Sequence, residues 1–242
     1  MIMENSVHFI LQGKGGIGKT LSASLIAQWI EDRFPGTLEC YDTDQENTTF
    51  ANYKALNVKL VDVMNADRTI NRKKFDTMLL EVFPSKKNIV IDNGANTFSP
   101  LMSYLMENDF IDLMMESGKR VYIHTIIGGG DNLKDTTAGF VSLAKQTNCP
   151  MVIWLNENAS WGTTENFIET KIFNENSANV RGVVLLQGRN SDTFGDDVRK
   201  MNKARLTLKE ILASDSDFNI LEKSRLGTVV RDVFTKLDEV EW

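Results

Sequence analysis

At 242 residues, 42% apolar and 25% charged, the chain is long enough for one large α/β domain and close to the average composition of soluble globular proteins, which excludes disordered and fibrous classes. A net charge of −6 argues against a surface given over to nucleic acid, although a local basic face stays open. The two cysteines, Cys40 and Cys149, form no C-x-x-C pair and read as small buried hydrophobes of a reducing compartment. Residues 1–6 carry no basic segment, and no apolar run approaches the ~18 residues that a membrane span needs, so the expected location is cytoplasmic with no membrane span.

Strand-like runs at 7–12, 38–42, 88–92, 120–127, 150–155 and 182–187 alternate with segments of helical apolar spacing. That alternation predicts βαβ units and a doubly wound, mainly parallel sheet. With four prolines and no Gly/Ser linker or repeat, residues 1–242 read as a single domain. Ligands of such sheets bind beyond the carboxyl ends of the strands, and each motif below falls at such an end.

The first run leads into Gly13, Lys14, Gly15, Gly16, Ile17, Gly18, Lys19 and Thr20, which fits G-x-x-x-x-G-K-[ST] and is followed by Leu21, Leu25, Ile26 and Trp29 at helical spacing. A glycine-rich turn between strand and helix lets backbone N–H groups close around an anion at the positive end of a helix dipole. Lys19 then meets the β- and γ-phosphates of ATP, and Thr20 offers its hydroxyl to Mg²⁺. The second run ends in Asp42, Thr43 and Asp44. One carboxylate can hold magnesium and its waters, and the other can orient the attacking water. An Asp-rich turn with Asp44 as a helix N-cap is the plainer alternative.

The third run closes on Asp92, in the form of a Walker B element that reaches Mg²⁺, and Gly94 beyond it supplies the backbone freedom of a switch loop. His124 and Thr125, with Gly128, Gly129 and Gly130 after them, read as the end of the next strand and as a flexible lip or a dimer contact. Two histidines without ligand spacing make no metal site, so His124 is expected to be a structural hydrogen-bonder. Asn156 ends a later strand with a paired donor and acceptor suited to a purine edge.

From Arg199 onward the chain reads as helical, with Leu206, Leu208, Ile211 and Leu212 in one segment. Leu226, Val229, Val230, Val233, Phe234 and Leu237 then form a wide apolar stripe on a terminal helix. A membrane-surface helix wants a basic polar face, whereas Asp238, Glu239 and Glu241 are acidic, so the stripe is expected to pack on its own domain.

Lys14 narrows the class, because an ordinary P-loop needs no side chain at that position. Its placement resembles the deviant Walker A motif of the ParA/MinD family of P-loop NTPases, with Lys14, Lys19, Thr20, Asp42, Asp44 and Asp92 matching position by position. The resemblance implies a homodimer on ATP binding in which Lys14 contacts nucleotide across the interface, with Asp44 as the water-orienting residue and Lys14, Lys19 and Asp44 as the catalytic set. Within that family the chain is similar to the TraL proteins of conjugative plasmids, through Asn47, Thr49, Phe50, Tyr53 to Val58, Ile91 to Ala95, His124 and Thr125, Trp154 to Asn156 and Arg205 to Thr207. This implies a cytoplasmic accessory ATPase of DNA transfer with a protein partner from the transfer machinery. Gln45 and Asn93 stand where the wider family commonly has proline, which bears on switch-loop geometry and hence on turnover.

Two other functions fit the residues. A partition-type ATPase would bind DNA nonspecifically as the ATP dimer, with Arg199, Lys200, Lys203 and Arg205 as the patch. A small-molecule P-loop kinase or ligase would need a bidentate basic clamp for its substrate, which no segment displays.

Overall fold

The computed structural model describes residues 4–158 and 161–242; residues 1–3, part of the segment read above for its lack of basic charge, lie outside them. Among the described residues seven strands, β1 (Ser6–Ile10), β2 (Leu38–Asp42), β3 (Lys59–Leu60), β4 (Asn88–Asp92), β5 (Arg120–Gly128), β6 (Met151–Asn156) and β7 (Val180–Leu186), form one sheet in the order β3-β2-β4-β1-β5-β6-β7. Every pairing is parallel. The six expected strands are present, and the expected mainly parallel sheet is wholly so. The seventh, β3, has only two exposed residues, too few to carry a pattern.

Helices α1 (Lys19–Arg33), α2 (Phe75–Val82), α3 (Phe98–Glu107), α4 (Phe110–Glu116), α5 (Leu133–Gln146), α6 (Lys171–Asn176), α7 (Asp196–Ala204), α8 (Leu208–Leu212) and α9 (Ile220–Asp238) cover the sheet. Two cores result. Phe9, Ile91, Ile123 and Ile153 pack with Phe75, Leu105 and Phe140 on one face, while Ile10, Val90, Ile126 and Trp154 pack with Ile26, Trp29 and Val233 on the other. Burial on both faces is why the strands read as unbroken apolar runs rather than as alternating ones. The chain builds β2, β3 and β4 on one side of β1 and then crosses to β5, β6 and β7, so the strand order reverses beside β1 and opens a crevice at its carboxyl end.

The terminal helix α9 packs inward, as its acidic end foretold. Val230, Val233 and Leu237 join the core with Trp29, whose indole N–H donates to Asp238 Oδ1 at 2.8 Å. Capping boxes start both α8 (Thr207 with Glu210) and α9 (Asn219 with Glu222), satisfying N–H groups that have no partner inside the helix.

His124 and Thr125 correct the reading of a flexible lip: β5 continues to Gly128, and both residues are fully buried in mid-strand. Beyond them Gly130 N–H bonds to Thr163 O at 3.2 Å, so the glycines are seated against the 161–163 segment. His124 is the structural hydrogen-bonder it was expected to be. Trp154 Nε1 can only donate, and it does so to His124 Nδ1 at 3.0 Å. The proton of neutral His124 therefore sits on Nε2 and points at His8 Nδ1, 2.9 Å away. His8 in turn donates through Nε2 to Ser6 Oγ, and Ser6 to Asn88 Oδ1, at 2.9 and 2.7 Å. Asn88 passes the sequence on to Thr37 Oγ1 at 2.9 Å. One directed run of hydrogen bonds thus crosses β6, β5, β1 and β4 beneath Trp242.

Candidate functional site

The P-loop leaves β1 at Leu11 and is pinned at three points. Gln12 is buried: its Nε2 donates to Ile126 O and Thr136 O, and its Oε1 accepts from Gly13 N–H at 2.9 Å. Lys19 Nζ donates to Lys14 O at 2.8 Å, bridging the loop, and Asn156 Nδ2 donates to Ile17 O at 2.8 Å. Gly16 and Gly18 have φ of 73° and 96°, a left-handed geometry that side chains resist and that turns the loop into α1. Burial holds the Lys19 ammonium below its usual pKa, with the charges of Asp92 and Asp44 opposing the shift. An anion bound in the loop would meet this buried cation.

Thr20, in the first turn of α1, donates its hydroxyl to Asp92 Oδ2 at 2.6 Å. The other oxygen, Oδ1, is buried and has no partner among the described residues. Burial lifts the Asp92 carboxyl to about 7; the neighbouring charges of Asp42 and Asp44 add to the rise, and the Thr20 bond and Lys19 oppose it. An unmet carboxylate oxygen beside a threonine hydroxyl is the donor set for a hard cation such as Mg²⁺. Among the described residues no three His, Cys, Asp or Glu side chains converge on one point, so phosphate oxygens and water would have to complete the shell.

Asp42 is the register partner of Asp92 but is occupied differently: Oδ1 accepts from Asp44 N–H and Oδ2 from Ala51 N–H, both at 2.9 Å. It ties down the loop that follows β2. Burial raises its pKa, against those same backbone bonds. Asp44 lies beyond the strand, where Oδ1 accepts from Asn47 N–H at 3.2 Å, and a β-carbon on Gly94 would stand 2.8 Å from its carboxyl carbon. The loops after β2 and β4 therefore touch at Asp44 and Gly94.

The two residues in place of proline have become fasteners. Asn93 is buried and its Oδ1 accepts from Thr43 and Thr97 hydroxyls, both at 2.8 Å. Gln45 Oε1 accepts from Met64 N–H at 2.9 Å while its Nε2 donates to Asp62 at 2.8 Å. Side-chain hydrogen bonds supply the stiffness a pyrrolidine ring would have given.

Asn156 puts its amide nitrogen on the P-loop, so it is a strut as well as a wall of the adjoining cleft of about 570 Å³. That cleft runs from Gly18 past Trp161 and Leu186 to Phe194 and Asn202, with mainly apolar walls. Lys14 pairs with Asp135 in the first turn of α5 at 2.8 Å, both side chains being substantially exposed. Arg199, Lys200 and Arg205 of the basic patch are committed within the chain, to Asp196, Glu222 and Asn202 O. No helix of the described residues is long and apolar enough to cross a membrane.

Sequence reasoning therefore brought Gly13 to Thr20, Asp42, Asp44, Asp92, Gly94 and Asn156 to one sheet edge, and it missed Gln12 and Thr97. Gln12 had a signal, a polar residue closing an apolar run, but nothing showed where it would bond.

No family model matches the chain. Protein TraL of Escherichia coli is 40% identical over 238 residues, covering 96% of this chain and 97% of the relative, and a second TraL of the same organism is 37% identical over equal coverage. Among solved structures, a ParA family ATPase from Chlorobium tepidum aligns with a TM-score of 0.50 at 13% identity, over 96% of this chain and 98% of that one. The MinD cell division protein of Aquifex aeolicus gives 0.49 at 14% identity, over 92% and 97%. The chain belongs to the TraL family and has the parallel P-loop NTPase fold of ParA family ATPases.

Proposed function

We propose that this protein is an ATPase of plasmid conjugative DNA transfer that works as a dimerisation switch, hydrolysing ATP to ADP and phosphate. The observation that carries the reading is the unpartnered Asp92 Oδ1 beside the Thr20 hydroxyl, under a loop whose left-handed glycines and buried lysine suit a triphosphate. Thr20 and Asp92 hold Mg²⁺, with Asp42 organising the loop around it; bound there, the cation neutralises charge on the phosphates. Gly13, Gly15, Gly16, Ile17 and Gly18 line the phosphates with backbone N–H groups, and Lys19 supplies the positive charge.

Asp44 orients the attacking water, and Gly94 presents its backbone to the terminal phosphate. Lys14 reaches the nucleotide of a second copy, releasing Asp135 to do so. An ion pair this exposed is worth about 1 kcal/mol or less, so a bound anion competes with it readily. Asn156 and the cleft beside it take the base. The name of the relatives supports a role in conjugation. In that role a partner from the transfer machinery stimulates turnover, and the protein acts in the cytoplasm.

Sizing of the protein with ATP and Mg²⁺, with ADP and without nucleotide tests this. Dimers are expected with ATP alone, absent in Lys14→Ala and longer-lived in Asp44→Ala. A monomer in all three conditions would leave a small-molecule P-loop enzyme as the better reading.

A further inference from the structure

The cleft beside the P-loop contains a carboxylate that none of these roles uses. Glu157 follows Asn156 at the end of β6, where its N–H bonds to Leu186 O at 3.0 Å and its side chain lines the cleft, half-buried. Its Oε1 accepts twice from Thr164, from the N–H at 3.3 Å and from the hydroxyl at 3.2 Å. Among the described residues no donor meets Oε2. That oxygen faces the loop after β7, where a β-carbon on Gly188 would stand 3.8 Å from it. Thr164 is itself buried, so the clamp is fixed in the wall.

A carboxylate only accepts hydrogen bonds, and an acceptor that loses water on ligand binding costs free energy unless a donor replaces it. Nucleobases differ in what they can offer. Adenine presents one exocyclic amine next to a ring acceptor. Guanine presents a ring N–H and an exocyclic amine side by side, a pair of donors that matches both oxygens of a free carboxylate. Glu157 has one oxygen to give.

We propose that Glu157, clamped by Thr164, is the base-specificity residue of the cleft: Oε2 accepts from the exocyclic amine of adenine, and the clamp withholds the second oxygen that guanine needs. This rests on the reading of the site as a nucleotide site and names the base it takes.

Calorimetric titration of the full chain, in Mg²⁺, with ATP, GTP and purine riboside triphosphate, which is ATP without the amine, tests it. ATP should bind about 10-fold or more tighter than the amine-free analogue, the worth of a hydrogen bond to a charged group. Glu157→Met should bring ATP down to the level of the analogue. Thr164→Val, which frees Oε1 from the hydroxyl, should narrow the preference of ATP over GTP about 10-fold. Equal binding of ATP and the analogue by the unaltered protein overturns the role of Glu157 and leaves the phosphate site standing, whether or not either variant folds. Failure of all three triphosphates to bind overturns the nucleotide site and this role with it.

Discussion

Thr20 with Asp92 at the carboxyl edge of the sheet, and the His8–His124 run across its middle, are both polar clusters inside the fold, yet they follow opposite rules. In the second, every side chain from Trp154 to Thr37 has its partner, and the tautomers are forced in turn by the indole donor. In the first, one carboxylate oxygen has none. A satisfied network specifies and rigidifies a core; an unsatisfied one persists where a ligand is to complete it. The contrast separates stability from function within one sheet, and it can be broken at either end.

The largest effect expected is acid destabilisation through the histidines. Burial above all, and then the charge of Arg120, push His8 down to about 3; burial and His8 push His124 down as well. A histidine whose folded pKa lies below its unfolded value contributes stability that is complete above about 6.5 and is lost as pH falls from there toward 3. The loss for His8 is on the order of 5 kcal/mol over that window. Chemical denaturation at a series of pH values from 7.5 to 4.5 should show it, and His8→Gln should flatten the slope; an unchanged midpoint in the parent would refute it.

Next comes Asp92→Asn, which removes the proposed cation ligand without emptying space. Magnesium-dependent nucleotide affinity should fall about 100-fold, whereas the ligand-free protein should keep its melting temperature or gain by about 1 kcal/mol, as active-site carboxylates commonly hold strain. Trp154→Phe is the mirror case. It leaves His124 Nδ1 as a buried acceptor without a donor, at about 1–2 kcal/mol of stability, and should leave nucleotide affinity unchanged in the same titration. Smallest is Lys14→Ala, whose exposed pair with Asp135 should cost the ligand-free protein less than about 1 kcal/mol by thermal melting. A larger loss would mean that the lysine is structural rather than poised for a second subunit.

Much of the site could be read because P-loop chemistry is local. Glycines, Lys19 and Thr20 act through backbone geometry and a helix terminus that eight consecutive residues define. Aspartates at strand ends were legible through the parallel pattern, which brings all carboxyl ends to one edge. Asp42 shows the limit: its position was correct, but its two oxygens are taken by N–H groups of Asp44 and Ala51, which no spacing reveals. His124 was placed at a strand end because the glycines after it looked like a loop, and the nine-residue β5 ran on past it to the first of them, Gly128.

What the amino-acid order determined by itself was everything periodic or contiguous: the alternation of strand and helix, the anion loop, the inward stripe of α9. Tertiary structure alone decided which polar atoms would be paired. Gln12 against Thr136, Asn93 between Thr43 and Thr97, and Glu157 against Thr164 join residues whose meeting depends on the crossing of strands and loops. A hydrogen bond needs two atoms within about 3 Å, and a chain pattern sets direction and burial far more tightly than it sets such distances.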